Sequence, residues 1–355
     1  MKIKLAILDH DETYLNQIVS IMDSKYMDSI QTYTFTSKDT AIKTVSEAKI
    51  DVFLANPDFE MSMEEIPMKC CFAYLVDQND IERYKGQIAI GKYQKIQLFY
   101  QQILSMYAEK VADMELSSKN TKFSIPLYCF LSASGGTGSS SLAMAYAKNQ
   151  AMHGKKVLYF NLEQLPTTGL VFTGEGNGNF SEIIYSIKSG RSNVTLKIES
   201  NTKQDNSEVF FFDSCNIPLD LLELDTNDFK QLLIHIASLN KYELVVVDLD
   251  FTFQKKELFV LEGATKIIFV SDGSAVANRK FLSAYESIVI LDEQNETGIA
   301  PRISLVFNKF RNRTSQVLQD ERIKVIGGIP YFEGADFVRV VDELSHHPLM
   351  NKLDN

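Results

Sequence analysis

Between a strand-like run at residues 127–131 and a helix-like run from Leu142 lies the segment Ser-Ala-Ser-Gly-Gly-Thr-Gly-Ser-Ser-Ser, residues 132–141. Strand, glycine-rich loop and helix in that order make a cradle for phosphate. Gly135, Gly136 and Gly138 free the backbone to curl its N–H groups around an anion, and the next helix aims its positive end at the same point. Ser139 stands where such a loop usually places the lysine that reaches the β- and γ-phosphates. Binding and hydrolysis therefore separate. Amides and a helix terminus can hold a polyphosphate, whereas transition-state stabilisation demands further well-placed charge.

Two more residues suit a metal-bound phosphate. Asp248 ends the apolar run 242–247 and can hold Mg²⁺ through a water, while Ser140 can offer its hydroxyl to the same ion. Asp248 also has the simpler reading of a strand-end turn former, and Asp250 reads as a loop residue. The elements that must position this chemistry are strands near 156–163, 242–248, 266–270 and 302–307, which imply a mostly parallel sheet with its ligands at the C-terminal edge.

The first third of the chain alternates in the same way. Strand-like runs fall at 3–8, 31–35, 52–55, 70–76 and 87–90, with helix-like runs at 12–25, 38–48 and 95–114. The spacing predicts a second parallel sheet with helices on both faces. A polar tether at 115–122 places the boundary near residue 120, giving domains 1–120 and 121–355. Asp9 and Asp11 follow the first strand, Asn56 ends the third and Lys92 follows the last. These positions resemble the response-regulator receiver family over about the first 107 residues. The resemblance makes Asp9 and Asp11 a leftover ion site, while exposed turn residues are an equal alternative. It places Asn56 where the phosphoacceptor aspartate belongs. An amide cannot be the carboxylate nucleophile, so the domain is expected not to be a phosphorylation switch. A receiver would instead offer a helix-strand-helix face for docking.

Composition narrows the rest. With 355 residues and 45% apolar content, the chain can build two cores. No apolar run approaches the roughly 20 residues of a membrane span, and Asp9 comes too early for a secretory signal. Cytoplasmic residence is expected. A net charge of -10 without a Lys/Arg cluster disfavours nucleic acid. Four cysteines, Cys70, Cys71, Cys129 and Cys215, show no metal spacing and read as core thiols. His346 and His347 are neighbours that point apart, and the segment 342–355 lacks a basic amphipathic face, so direct membrane insertion is not expected.

Residues 125–345 resemble the MinD/ParA group of P-loop ATPases, whose deviant loop carries two lysines. Here Ser134, Gly135, Gly136, Thr137, Gly138, Ser139 and Ser140, followed by Ser141, keep the glycines and replace both lysines with serine. The resemblance implies a site for ATP and Mg²⁺, with Ser140 and Asp248 on the metal. Asn161 and Glu163 fall where the group has two aspartates near the attacking water, and with Asp248 they form the implied catalytic set. Asn308 and Lys309 match the pair that reads adenine, and Pro330 and Tyr331 flank the base. Lys309 or Arg311 could swing in to replace the lost charge, although both are expected near the base or in solvent.

An α/β chain of two doubly wound domains, a receiver-like (flavodoxin-like) one without its phosphoacceptor and then a MinD/ParA-like P-loop one, resembles the TadZ/CpaE pilus-assembly family. That implies an ATP-binding scaffold, homodimeric, which helps place the Tad (Flp) pilus and secretion machinery, often at a cell pole, on the inner face of the membrane through protein partners. Without either lysine, hydrolysis is expected to be weak or absent. The alternatives are an active ParA/MinD-type ATPase and a response-regulator-like transcription factor, against which Asn56 and the missing basic recognition segment count.

Overall fold

The computed structural model describes every residue except Met1, Asp28, Met68, Asp80, Glu82, 117–122, Asn177, 190–193 and Asn355, and only the backbone at 108, 109 and 111–116. The chain divides into two compact units, Met1–Met114 and Glu115–Asn355. Most of the expected tether, residues 117–122, lies outside the described residues.

The first unit runs β1 (Ile3–Leu8), α1 (Glu12–Tyr26), β2 (Ile30–Phe35), α2 (Lys38–Glu47), β3 (Val52–Ala55), β4 (Cys71–Val76), β5 (Arg83–Tyr84), β6 (Gln87–Gly91) and α3 (Ile96–Leu116). Its six strands are ordered β2-β1-β3-β4-β6-β5, all parallel except the β5/β6 pair. Asp11 caps α1 by accepting from the Tyr14 N–H at 3.0 Å. The helix buries Tyr14, Leu15, Ile18 and Met22, a stripe at helical spacing, beside Ile103 of α3 and Leu5, Ile7 and Leu54 of the sheet. On the opposite face, Ala41 and Val45 of α2 cover Ala6, Leu8 and Phe53.

One expectation needs correction. Among the described residues no helix lies between β4 and β6, so the expected helix-strand-helix face is a hairpin followed by α3. The cause is local: Lys85 and Gly86 both have positive φ, 47° and 81°, as the type I′ turn of a two-residue hairpin requires, and this pairs Tyr84 with Gln87. Between β3 and β4 the described residues make short 3₁₀ turns at Pro57–Phe59 and Met63–Glu65.

The second unit runs β7 (Leu127–Leu131), α4 (Ser139–Met152), β8 (Val157–Asn161), α5 (Phe180–Lys188), α6 (Val194–Asn201), β9 (Thr202–Gln204), β10 (Phe210–Phe212), α7 (Thr226–Ser238), β11 (Leu244–Asp248), α8 (Lys255–Gly263), β12 (Lys266–Ser271), α9 (Ala275–Asn295), β13 (Ile303–Phe310), β14 (Lys324–Pro330) and α10 (Phe337–Ser345). Among the described residues eight strands are ordered β14-β13-β12-β7-β11-β8-β10-β9, and only β9 and β10 pair antiparallel. β7 and β11 lie inside the sheet with both faces covered, which explains the unbroken Val245, Val246 and Val247. Helices α5 to α9 pack on one face, and α4 with α10 on the other.

The residues after α10 fold back onto α4. Leu349, Met350 and Leu353 join its core, and Asp354 accepts from the Tyr146 hydroxyl and from Gln150 Nε2. His346 Nδ1 lies 2.9 Å from the Asp342 carbonyl, whereas His347 Nδ1 accepts from the Leu349 N–H, so each ring serves its own stretch of backbone. Among the described residues, no cluster of His, Cys, Asp and Glu is arranged to hold a metal, and no helix is long and apolar enough to cross a membrane.

Candidate nucleotide-binding site

The loop leaving β7 sits where that strand is flanked by β11 on one side and β12 on the other. The chain leaves β7 into α4 on one face and β11 into α8 on the other, which opens a crevice at the strand ends. Gly136 and Gly138 hold φ of 78° and 87°, left-handed values that side-chain-bearing residues adopt only with strain. Gly138 also has no room for a side chain, since a Cβ there would lie 2.4 Å from Asn308 Nδ2. Above Gly135 and Gly136 the space is open. Ser132 pins the loop's base: its hydroxyl meets the Val270 carbonyl at 2.6 Å and accepts from the Ser134 N–H at 3.1 Å. Ser139 and Ser140 open α4, where the first N–H groups have no partner within the helix. Ser141 is buried in its first turn.

At the foot of the loop, Asp248 is fully buried and sits in register with Asn161 of β8 and Phe130 of β7. A chain of hydrogen bonds links five side chains. Ser140 Oγ donates to Glu163 Oε1, Asn161 Nδ2 lies 3.1 Å from Glu163 Oε2 and 3.2 Å from the Tyr159 hydroxyl, and Tyr159 donates to Asp248 Oδ2 at 2.7 Å. Burial, and then the charge of Glu163, push the Asp248 carboxyl well above the usual carboxylate range, although the Tyr159 hydroxyl opposes this. Burial and the Asp248 charge likewise hold the Tyr159 phenol up, so it remains a donor. Asp248 Oδ1 and Thr137 Oγ1 are buried without a hydrogen-bond partner. Orphaned buried oxygens are costly, and both stand at the loop. A divalent cation beside Asp248 and polyphosphate oxygens beside Thr137 fit these atoms.

Asp250 lies outside this group and accepts from the Gln164 N–H at 2.8 Å. Tyr159 was not singled out from sequence, although the period of two in a strand puts it on the same face as Asn161.

Asn308 and Lys309 both turn to the loop. Asn308 Nδ2 donates to the Thr137 carbonyl at 2.9 Å and Lys309 Nζ to the Gly136 carbonyl at 2.8 Å. Lys309 thus reaches the backbone of the loop. Arg311 instead lies over the Tyr331 ring, 4.1 Å from its centroid. Pro330 helps to wall an apolar cavity of about 350 Å³ with Phe307, Phe310, Val325 and Gly328.

In the first unit, the receiver-like acidic centre is closed on itself. Asp9 and Lys92 are both buried, with Lys92 Nζ 2.7 Å from Asp9 Oδ2 and 3.0 Å from Asp77. Burial alone would lower the Lys92 ammonium, but the Asp9 and Asp77 carboxylates outweigh it and hold the group above its usual value. Asn56 Nδ2 lies 3.2 Å from Asp9 Oδ2, and its oxygen accepts from the Asp58 N–H. Asp9 Oδ1 is taken by the Asp11 N–H at 2.9 Å, while Asp11 spends its own carboxylate on the α1 cap.

Comparison with known proteins agrees with both halves. Residues 1–108 match a family model described as "TadZ-like, receiver domain". The second unit's fold is that of a ParA family ATPase from Chlorobium tepidum TLS, 18% identical with a TM-score of 0.50 over 66% of this chain and 96% of that one. The MinD cell division protein of Aquifex aeolicus is also similar, at 15% identity and a TM-score of 0.44 over 64% of this chain and 93% of that one. So is the MinD of Pyrococcus horikoshii OT3 complexed with Mg-ADP, at 14% identity and 0.45 over 62% and 94%. No curated protein matches the chain at a significant level. The chain thus joins a segment that matches a TadZ-like receiver domain to a unit with the fold of a ParA family ATPase.

Proposed function

We propose that the second unit binds ATP with Mg²⁺ and hydrolyses it slowly or not at all, so that the nucleotide acts as a structural ligand of a scaffold protein. The observation that carries this reading is a loop with left-handed glycines and a buried, half-unpartnered Asp248 at its foot, in which Ser134 and Ser139 replace both lysines. The loop amides and the α4 terminus would hold the phosphates, with Ser140 and Asp248 toward the metal. Mg²⁺, when bound, would neutralise charge on the phosphates. Asn161 and Glu163 stand where a water could be oriented. Losing one transition-state donor typically costs about 10² to 10³ in rate, and here two cations of the loop are missing. Pro330, Tyr331 and Asn308 are the side chains offered to the base.

A second copy of the chain is the proposed first partner. Leu165, Ile217, Leu219 and Leu222 are exposed, and Gln164, Pro166, Pro218 and Leu221 line one small cavity with Asn161 and Glu163, which puts that apolar rim beside the site. Nucleotide would favour the paired state by its binding free energy. Placement of Tad (Flp) pilus components through protein contacts, at the inner face of the membrane or a cell pole, rests on the family architecture. No role in binding nucleic acid is proposed.

The test is ATP·Mg²⁺ binding by calorimetry alongside phosphate release. Tight binding with negligible release supports the proposal; brisk release that Asp248→Ala abolishes contradicts it and favours an active ATPase.

A further inference from the structure

Register in β13 and β14 shows how Lys309 reaches the loop. Phe307 pairs with Gly328 and Phe310 with Pro330, so Asn308 and Lys309 together oppose the single residue Ile329. This is a β-bulge, and Lys309 completes it with a left-handed φ of 56°. In a regular strand neighbouring side chains point to opposite faces. The bulge instead sends both Asn308 and Lys309 to the phosphate loop, where the Lys309 ammonium rests on the Gly136 carbonyl. A lysine adopts that backbone only with strain. Within β13 the left-handed residue is the one whose cation lands on a loop without a lysine.

We propose that Lys309 is the phosphate-binding cation that the loop itself lacks: its ammonium, delivered by the bulge, moves from the Gly136 carbonyl to the oxygens of a nucleoside polyphosphate held by the loop amides. The charge that a P-loop ordinarily takes from its own helix start comes here from the far strand. Lys309 thus recognises phosphate rather than the base. This inference rests on the nucleotide reading above.

Calorimetry on the full chain separates the two. Wild type, Lys309→Met, Lys309→Arg and the double variant Lys309→Met/Ser139→Lys are titrated with ATP·Mg²⁺ and, separately, with adenosine. Lys309→Met is expected to weaken ATP by about 10- to 100-fold, the worth of a charge-assisted hydrogen bond, and to leave adenosine unchanged. Arginine at 309 retains most of the ATP affinity, and lysine at 139 restores it in the Lys309→Met background. Equal weakening toward ATP and adenosine, unaltered ATP affinity in Lys309→Met, or absence of rescue by Ser139→Lys overturns the assignment while the nucleotide reading stands. A wild type with no affinity for ATP removes that reading and this inference with it.

Discussion

Ser140 Oγ donates a 2.8 Å hydrogen bond to Glu163 Oε1, tying the first turn of α4 to the segment that follows β8. Through Asn161 and Tyr159 the same network reaches Asp248, so the groups offered to a metal and to a water behave as one coupled unit. Its two carboxylates repel each other, and one is fully buried. The side chains proposed to meet a cation are thus already tied to one another.

Stability and ligand response should therefore part company at Asp248. Replacing it with Asn removes a buried acid that the Glu163 charge repels, so nucleotide-free Asp248→Asn is expected to unfold at a higher temperature than wild type. ATP·Mg²⁺ should then raise the variant's midpoint far less than it raises that of wild type. Thermal unfolding with and without ligand checks both halves, and a destabilised free variant would contradict the burial argument.

Gly138 is constrained twice, by its φ of 87° and by Asn308 Nδ2 only 2.4 Å from where a Cβ would be. Gly138→Ala is expected to cost about 1–3 kcal/mol and to displace Asn308 from the Thr137 carbonyl. Urea unfolding measures the first effect. The Gly135→Ala control, where the space is open, should lose little.

In the receiver-like unit, the pair formed by Lys92 and Asp9 is almost wholly buried. Lys92→Met leaves Asp9 charged and unpaired in the interior, which typically costs about 3–5 kcal/mol. Neutralising both in Asp9→Asn/Lys92→Met should recover much of that loss. Denaturation of the two variants decides between a structural ion pair and an incidental contact.

The glycine loop was legible because strand, loop and helix are contiguous in the chain, and Asp248 because an apolar run marks its strand. Alternating elements likewise disclosed both parallel sheets. What stayed hidden depends on pairing between distant segments. The position of Lys309 follows from two residues of β13 facing one of β14, a register that no local pattern encodes. The β5/β6 hairpin turns on Lys85 in a left-handed conformation that lysine rarely adopts. β9 and β10, at three residues each, are too short to display a period of two.

His235 gives the second unit a pH dependence. Burial lowers its imidazole from the usual 6.5 to about 4, and its Nδ1 lies 3.0 Å from Thr195 Oγ1. The neutral ring is the form the fold accepts. The stability it contributes is complete above about pH 6.5 and is lost as pH falls through the folded value near 4. Over that window the loss approaches about 3 kcal/mol. Urea midpoints between pH 7 and 4 should fall more steeply for wild type than for His235→Gln, and parallel slopes would refute the assignment.

The central claim is a nucleotide that is held but not consumed. Protein incubated with ATP and Mg²⁺, freed of excess ligand, denatured and analysed by ion-exchange chromatography should release about one equivalent of intact ATP per chain even after prolonged incubation. Recovery of ADP with matching free phosphate within minutes, or of no nucleotide at all, would contradict the account.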